Sequence, residues 1–209
     1  VERFVKLRPV LETGYQTLLL MGLIQKEQDD AVIMSEFSTL SAQLLKENNL
    51  SAQQCARWFG ETRDAWIAED LPGWLSQQRF YPRAMEKLKK TLATNPVFIV
   101  TTKQERFVAA LLRGWDVVFP RERILGFDRG QSKETLLADL LRQPQWQLGR
   151  WHFVEDRLET LLRVASHKSL AAVELYLADW GYNTEVARNL AQQHPSITVW
   201  NQESFLVVQ

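Results

Sequence analysis

The chain of 209 residues has one cysteine, Cys55, so no internal disulfide framework can hold it together. That usage fits a reducing compartment and makes the cytoplasm the expected location. No apolar run approaches the ~20 residues of a membrane span, and no signal-peptide pattern opens the chain. Charge of one sign is not in excess either: 25 Lys and Arg balance 25 Asp and Glu. The balance removes the bulk electrostatic case for nucleic acid or an anionic membrane as partner. The nine glycines contain no G-x-G for a dinucleotide, and no G-x-x-x-x-G-K-[ST] forms a P-loop. His152, His167 and His194 lack metal-like spacing. No two aspartates are separated by a single residue.

What is present divides at about residue 93. Upstream the apolar spacing is helical, with Phe37, Leu40, Leu44 and Leu45 forming one stripe and Cys55, Trp58, Phe59, Thr62 and Trp66 another. Arg8-Pro9 is expected to open a helix, Ser51 to cap one, Leu71-Pro72-Gly73 to turn, and Tyr81-Pro82 to start a last helix. From residue 97 short apolar runs alternate with amphipathic stretches. The strand candidates are 97–100, 117–119, 124–127, 151–154, 173–178 and 197–200, with helices expected at about 104–114, 132–143, 157–166 and 183–194. Such βα succession predicts a mainly parallel sheet, whose ligands bind at the carboxyl ends of its strands. The eight tryptophans are scattered through both regions, which favours ordinary packing over a stacking platform.

Three segments place chemistry at those strand ends. Val97 to Val100 leads into Thr101-Thr102-Lys103, two hydroxyls and an ammonium, although Thr102 with Glu105 also fits a capping box. In Gly126 to Glu134, Ser132 is a candidate helix cap and Lys133 falls in the first turn. A cation there opposes the helix dipole unless an anion lies between it and the helix terminus; the alternative is a solvated lysine beside Glu134. In Trp151 to Glu159 two acids, Glu155 and Asp156, close an apolar run. They suit a hard cation such as Mg²⁺, while Asp156 with Glu159 also fits a D-x-x-E cap.

The order strand-Thr, Lys, strand-Glu-Asp resembles the second, third and fourth motifs of haloacid-dehalogenase-like hydrolases. Asp179-Trp180-Gly181-Tyr182-Asn183-Thr184 is similar to the W-G-Y segment of their phosphoglycolate-phosphatase-like branch. The resemblance covers about residues 97 to 200. It implies a three-layer, Rossmann-like α/β core over 94–209 and an N-terminal helical cap over 1–93. Receiver domains use similar residues, but their acids precede the Thr and Lys.

The resemblance further implies a Mg²⁺-dependent phosphatase acting on a small phosphorylated molecule. Thr101, two residues before the lysine as in the family pattern, would bind a phosphoryl oxygen with Thr102 beside it. Lys133 would neutralise charge, and Asp156 with Glu155 would hold the metal. Arg8 and Glu12 are the cap candidates for substrate contact. The family's first motif, D-x-D after an apolar strand, supplies the nucleophile and the proton shuttle, and it is missing here. The chain starts without Met and within cap-like sequence, so the expectation is that this strand lies upstream of Val1. The alternative is a catalytically inactive relative that binds or regulates.

Overall fold

The computed structural model describes residues 1–207. It divides into two compact units, one of residues 1–79 with 102–107, the other of 80–101 with the chain from 108 onward.

The first unit is helical: α1 (Glu2–Leu7), α2 (Gln16–Gln25), α3 (Asp30–Glu47), α4 (Ala52–Glu69) and α5 (Leu71–Ser76). Capping explains where the helices begin. Asp29 accepts from the amides of Ala31 and Val32 at the start of α3. Ser51 and Gln54 form a reciprocal capping box on α4, as the sequence predicts. Leu7, Leu11, Leu20, Leu23, Ile33 and Phe37 bury together as the core of α1 to α3. Two expectations are corrected. Arg8-Pro9 forms a single 3-10 turn, Arg8–Val10, in place of a helix start. Leu71-Pro72-Gly73 begins α5 because Asp70 caps the Gly73 amide at 2.8 Å and Pro72 sits where no amide hydrogen is needed.

The second unit holds α6 (Ala84–Thr94), β1 (Ile99–Val100), most of α7 (Glu105–Gly114), β2 (Ile124–Leu125), α8 (Lys133–Leu141), β3 (Trp151–Glu155), α9 (Leu158–Ser166), β4 (Val173–Ala178), α10 (Glu185–Gln193), β5 (Ile197–Trp200) and α11 (Gln202–Val207). The expected α/β character and parallel pairing are found. One sheet pairs β1 with β2, and the Thr101 amide extends it to the Leu125 carbonyl at 2.9 Å. The other has the order β3-β4-β5, all parallel. Phe153, Leu175, Leu177 and Ile197 bury one face of this sheet with Leu158, Leu161, Val164 and Ala191 of α9 and α10. Val100 of β1 packs against the same cluster.

On the opposite face Tyr176 stacks on Trp200 (3.6 Å, 24°) and His152 on Tyr176 (5.6 Å, 17°), while Phe205 of α11 packs on Trp180 and Trp200. These tryptophans, like the fully buried Trp74, are packing residues.

Val117 to Phe119 is not a strand. Asp116 takes a left-handed φ of 54° after α7, and the Val117 amide donates to the Leu112 carbonyl at 2.9 Å. This is a Schellman stop, in which Val117 packs on Leu112 and Val118 is left exposed. The helix expected from Tyr81-Pro82 starts later, at Ala84, after Arg83 at φ 60°. No helix among the described residues is long and apolar enough to cross a membrane.

Candidate functional site

The loop between β2 and α8 is shaped by Gly130, whose φ of 64° is a conformation that costs glycine nothing. It delivers Ser132 to the N-cap of α8, where its hydroxyl accepts from the Thr135 amide, and so sets Lys133 in the first turn. The expected alternative of a solvated Lys133 is not what forms. Its side chain is only 15% exposed and its ammonium bonds Glu155 Oε2 at 2.5 Å. Glu134 turns instead to Arg163, 3.3 Å away. The anion that makes a cation tolerable at this helix start is therefore a protein carboxylate from the end of β3.

Glu155 is buried, with 5% of its side chain exposed. Burial pushes its carboxyl above the ordinary carboxylate range; Lys133 pulls it back, and the neighbouring Asp156 raises it further. Its second oxygen accepts weakly from the Arg157 amide at 3.3 Å. α9 begins only at Leu158, with Arg157 at the N-cap position and no side-chain cap. Asp156 thus does not cap this helix.

Asp156 is held from the loop after β4. Its Oδ2 accepts from the Tyr182 amide at 2.9 Å, and its carbonyl accepts from Asn183 Nδ2 at 3.1 Å. Asn183 also donates to the Ala178 carbonyl at 2.8 Å and accepts from Arg188 at 2.9 Å, which fixes its amide. Gly181 is required by contact: a Cβ there would lie 2.2 Å from Asp156 Cβ. The Trp180-Gly181-Tyr182-Asn183 segment is the clamp on Asp156. Sequence reading picked out this segment without giving Tyr182 or Asn183 a part. The signal was a side-chain amide two residues after a glycine in the loop that follows a strand, a position suited to bonding backbone carbonyls.

The structure brings Lys133, Glu155 and Asp156 together at the carboxyl end of β3. Thr101, at the end of β1, lies in the same unit. Thr102, Arg8 and Glu12 belong to the first unit, where the Thr102 hydroxyl donates to the Glu12 carbonyl at 2.7 Å. α7 starts at Glu105, so Thr102 stands outside its N-cap position.

Among the described residues no group of three or more His, Cys, Asp or Glu side chains forms a ready-made metal site. Mg²⁺ commonly takes one or two carboxylates and completes its shell with water and substrate oxygens. Asp156 fits that requirement, since a carboxylate has about four lone-pair sites and Tyr182 uses one. Glu155 fits less well, because Lys133 engages it. Comparison with protein-family models, with curated proteins and with solved structures finds no match to this chain.

Proposed function

We propose that the second unit is the phosphate-handling part of a haloacid-dehalogenase-like, Mg²⁺-dependent phosphohydrolase with a helical cap, acting on a small phosphorylated metabolite. The observation that carries this reading is the pairing of Lys133 from the start of α8 with Glu155, which ends β3 next to Asp156, in the motif order of that family. Cations and carboxylates at the carboxyl ends of parallel strands are where an open α/β sheet binds ligands.

The strand pairing also supports it. Among the described residues β1 pairs only with β2, and β3 only with β4, so each keeps one edge without a ladder partner. Both strands contribute to one core through Val100 and Phe153. A further parallel strand added at these edges, from sequence outside the 209 residues, would present its carboxyl end beside Lys133 and Asp156. That is where the nucleophilic aspartate of an Asp-x-Asp strand would stand.

In this reading Thr101 donates to a phosphoryl oxygen. Lys133, poised by Glu155, stabilises charge gathering on the transferred group, and Asp156 is held in place by Tyr182 and Asn183. Mg²⁺, bound through Asp156 with Glu155 beside it, would screen phosphate charge.

Full-length protein that includes an Asp-x-Asp strand should hydrolyse an artificial phosphate ester in Mg²⁺. Asp156→Asn should lower that metal-dependent rate at least tenfold. No turnover by such a folded protein would overturn the reading.

A second reading, a non-catalytic relative that binds or regulates, is favoured by Lys133 being neutralised from within the protein. A folded full-length chain without an Asp-x-Asp strand would decide for it.

A further inference from the structure

The hydrogen bonds of the loop after β4 lead to Asp156, and the outermost of them starts on α10. The Gly181 amide donates to the Ala178 carbonyl at 3.1 Å and turns the chain back. The next amide, that of Tyr182, then reaches Asp156 Oδ2 at 2.9 Å. Asn183 Nδ2 ties the two strand ends together, donating to the Asp156 carbonyl at 3.1 Å and to the Ala178 carbonyl at 2.8 Å. Thr184 caps α10 on the Ala187 amide, which fixes the first turn of that helix beside the loop. From that turn's end Arg188 Nη1 donates to Asn183 Oδ1 at 2.9 Å and, more weakly, to the Asn183 carbonyl at 3.4 Å.

A carboxamide has unlike ends, one that only donates and one that only accepts. The two carbonyls need the donating end of Asn183. A guanidinium has donors alone, so Arg188 takes the accepting end and disfavours the flipped amide, in which Oδ1 would face two carbonyl oxygens. Both side chains are half-buried, where water replaces a lost partner less readily.

A cation one residue removed from a candidate Mg²⁺ ligand has the wrong sign for that role, because it repels the ion it stands near. The amide it orients gives it a reason to be there. We propose that Arg188 is a positioning residue of the cation site: acting through Asn183, it holds Asp156 in the pose that takes a divalent ion. The proposal rests on the reading of Asp156 as the Mg²⁺ ligand.

The test uses Mn²⁺, which shares the preference of Mg²⁺ for carboxylate and water oxygens, titrated into the whole chain. Electron paramagnetic resonance counts the free ion, and selective broadening of the Asp156 and Tyr182 amides in NMR locates the bound one. Wild type is expected to bind at Asp156, and Asp156→Asn to lose the selective broadening. Arg188→Met should bind about tenfold more weakly, the low end of what outer partners of metal ligands contribute. Charge alone predicts the opposite, since removing a cation favours Mn²⁺. Asn183→Asp carries the same contrast: it adds a negative charge, yet it sets carboxylate oxygens against two carbonyls, and it should also weaken binding. The double variant Arg188→Met/Asn183→Asp should bind no more weakly than the weaker single variant, because both act along one path.

Melting curves identify the folded variants, and Asn183→Asp decides alone if Arg188→Met does not fold. Affinity in the folded variants equal to wild type or tighter, even with a lowered melting temperature, would mark Arg188 as structural and overturn the proposal while leaving Asp156 as the ligand. No selective broadening at Asp156 in wild type would overturn the ligand reading, and the proposal with it.

Discussion

Lys133 and Glu155 each make the other tolerable. Removing one member of a buried ion pair leaves an uncompensated charge, a loss of roughly 3–5 kcal/mol, whereas replacing both by apolar side chains is often nearly neutral. Lys133→Met is therefore expected to destabilise the chain by about that amount in denaturant titration, and Lys133→Met/Glu155→Met to recover most of it. Two glutamates should also titrate in opposite directions. Glu155 is raised by burial, so its contribution to stability is fully present below the ordinary 4.5 and is lost as pH rises through the folded value. Glu174, bonded by Arg150 and Tyr176, is lowered to about 2; its contribution is present above 4.5 and lost as pH falls toward 2. Carbon-13 NMR of the two carboxyls should find one midpoint above 4.5 and the other well below it. At this scale the sequence exposed the problem, a cation at a helix N-terminus, but its solution lies 22 residues away in Glu155. No local pattern marks such a partner.

Among the elements, the clamp on Asp156 makes the sharpest forecast. Gly181→Ala would set a methyl against Asp156 Cβ, an atom that cannot swing aside as a long side chain would. A loss of about 1–3 kcal/mol is expected, the usual range for overpacking, together with exchange broadening of the Tyr182 amide in NMR. Four helices of the βα region, α7 to α10, were legible from their 3.6-residue spacing, and their observed ranges lie within the expected ones to a residue or two, whereas α11 was not expected. All five strands were legible as apolar runs, although β1 and β2 are shorter than the runs 97–100 and 124–127 that announced them. Val117 to Phe119 misled because an apolar residue just past a helix can serve the helix stop, and its composition matches that of a strand. Leu71-Pro72-Gly73 misled for a related reason: Pro and Gly punctuate loops, yet after Asp70 they suit a helix's first turn.

Taken whole, the chain is organised by contacts that single segments do not reveal. βα alternation implied one continuous parallel sheet, while the pairing found is two strands in one ladder and three in another. Which strand pairs with which depends on register and on what occupies each edge, and neither is written in local periodicity. The packing of residues 102–107 with the helical unit, through Arg106 to Asp64 and Phe107 to Trp74, was equally hidden. The pairing predicts a hierarchy in amide hydrogen exchange. β4, bonded on both sides, should exchange slowest, while outward amides of β1 and β3 should exchange faster and slow on addition of a strand that completes the edge.

Cys55 turns its solitude into a clock. It is 2% exposed in α4, its thiol is pushed up by burial, and no other sulfhydryl exists in the chain. A thiol-reactive dye can therefore label the native protein only when the helical unit opens, because the thiolate is the nucleophile and it is both buried and disfavoured. The labelling rate thus counts the openings of that unit alone, with no engineered probe and no background from the α/β unit.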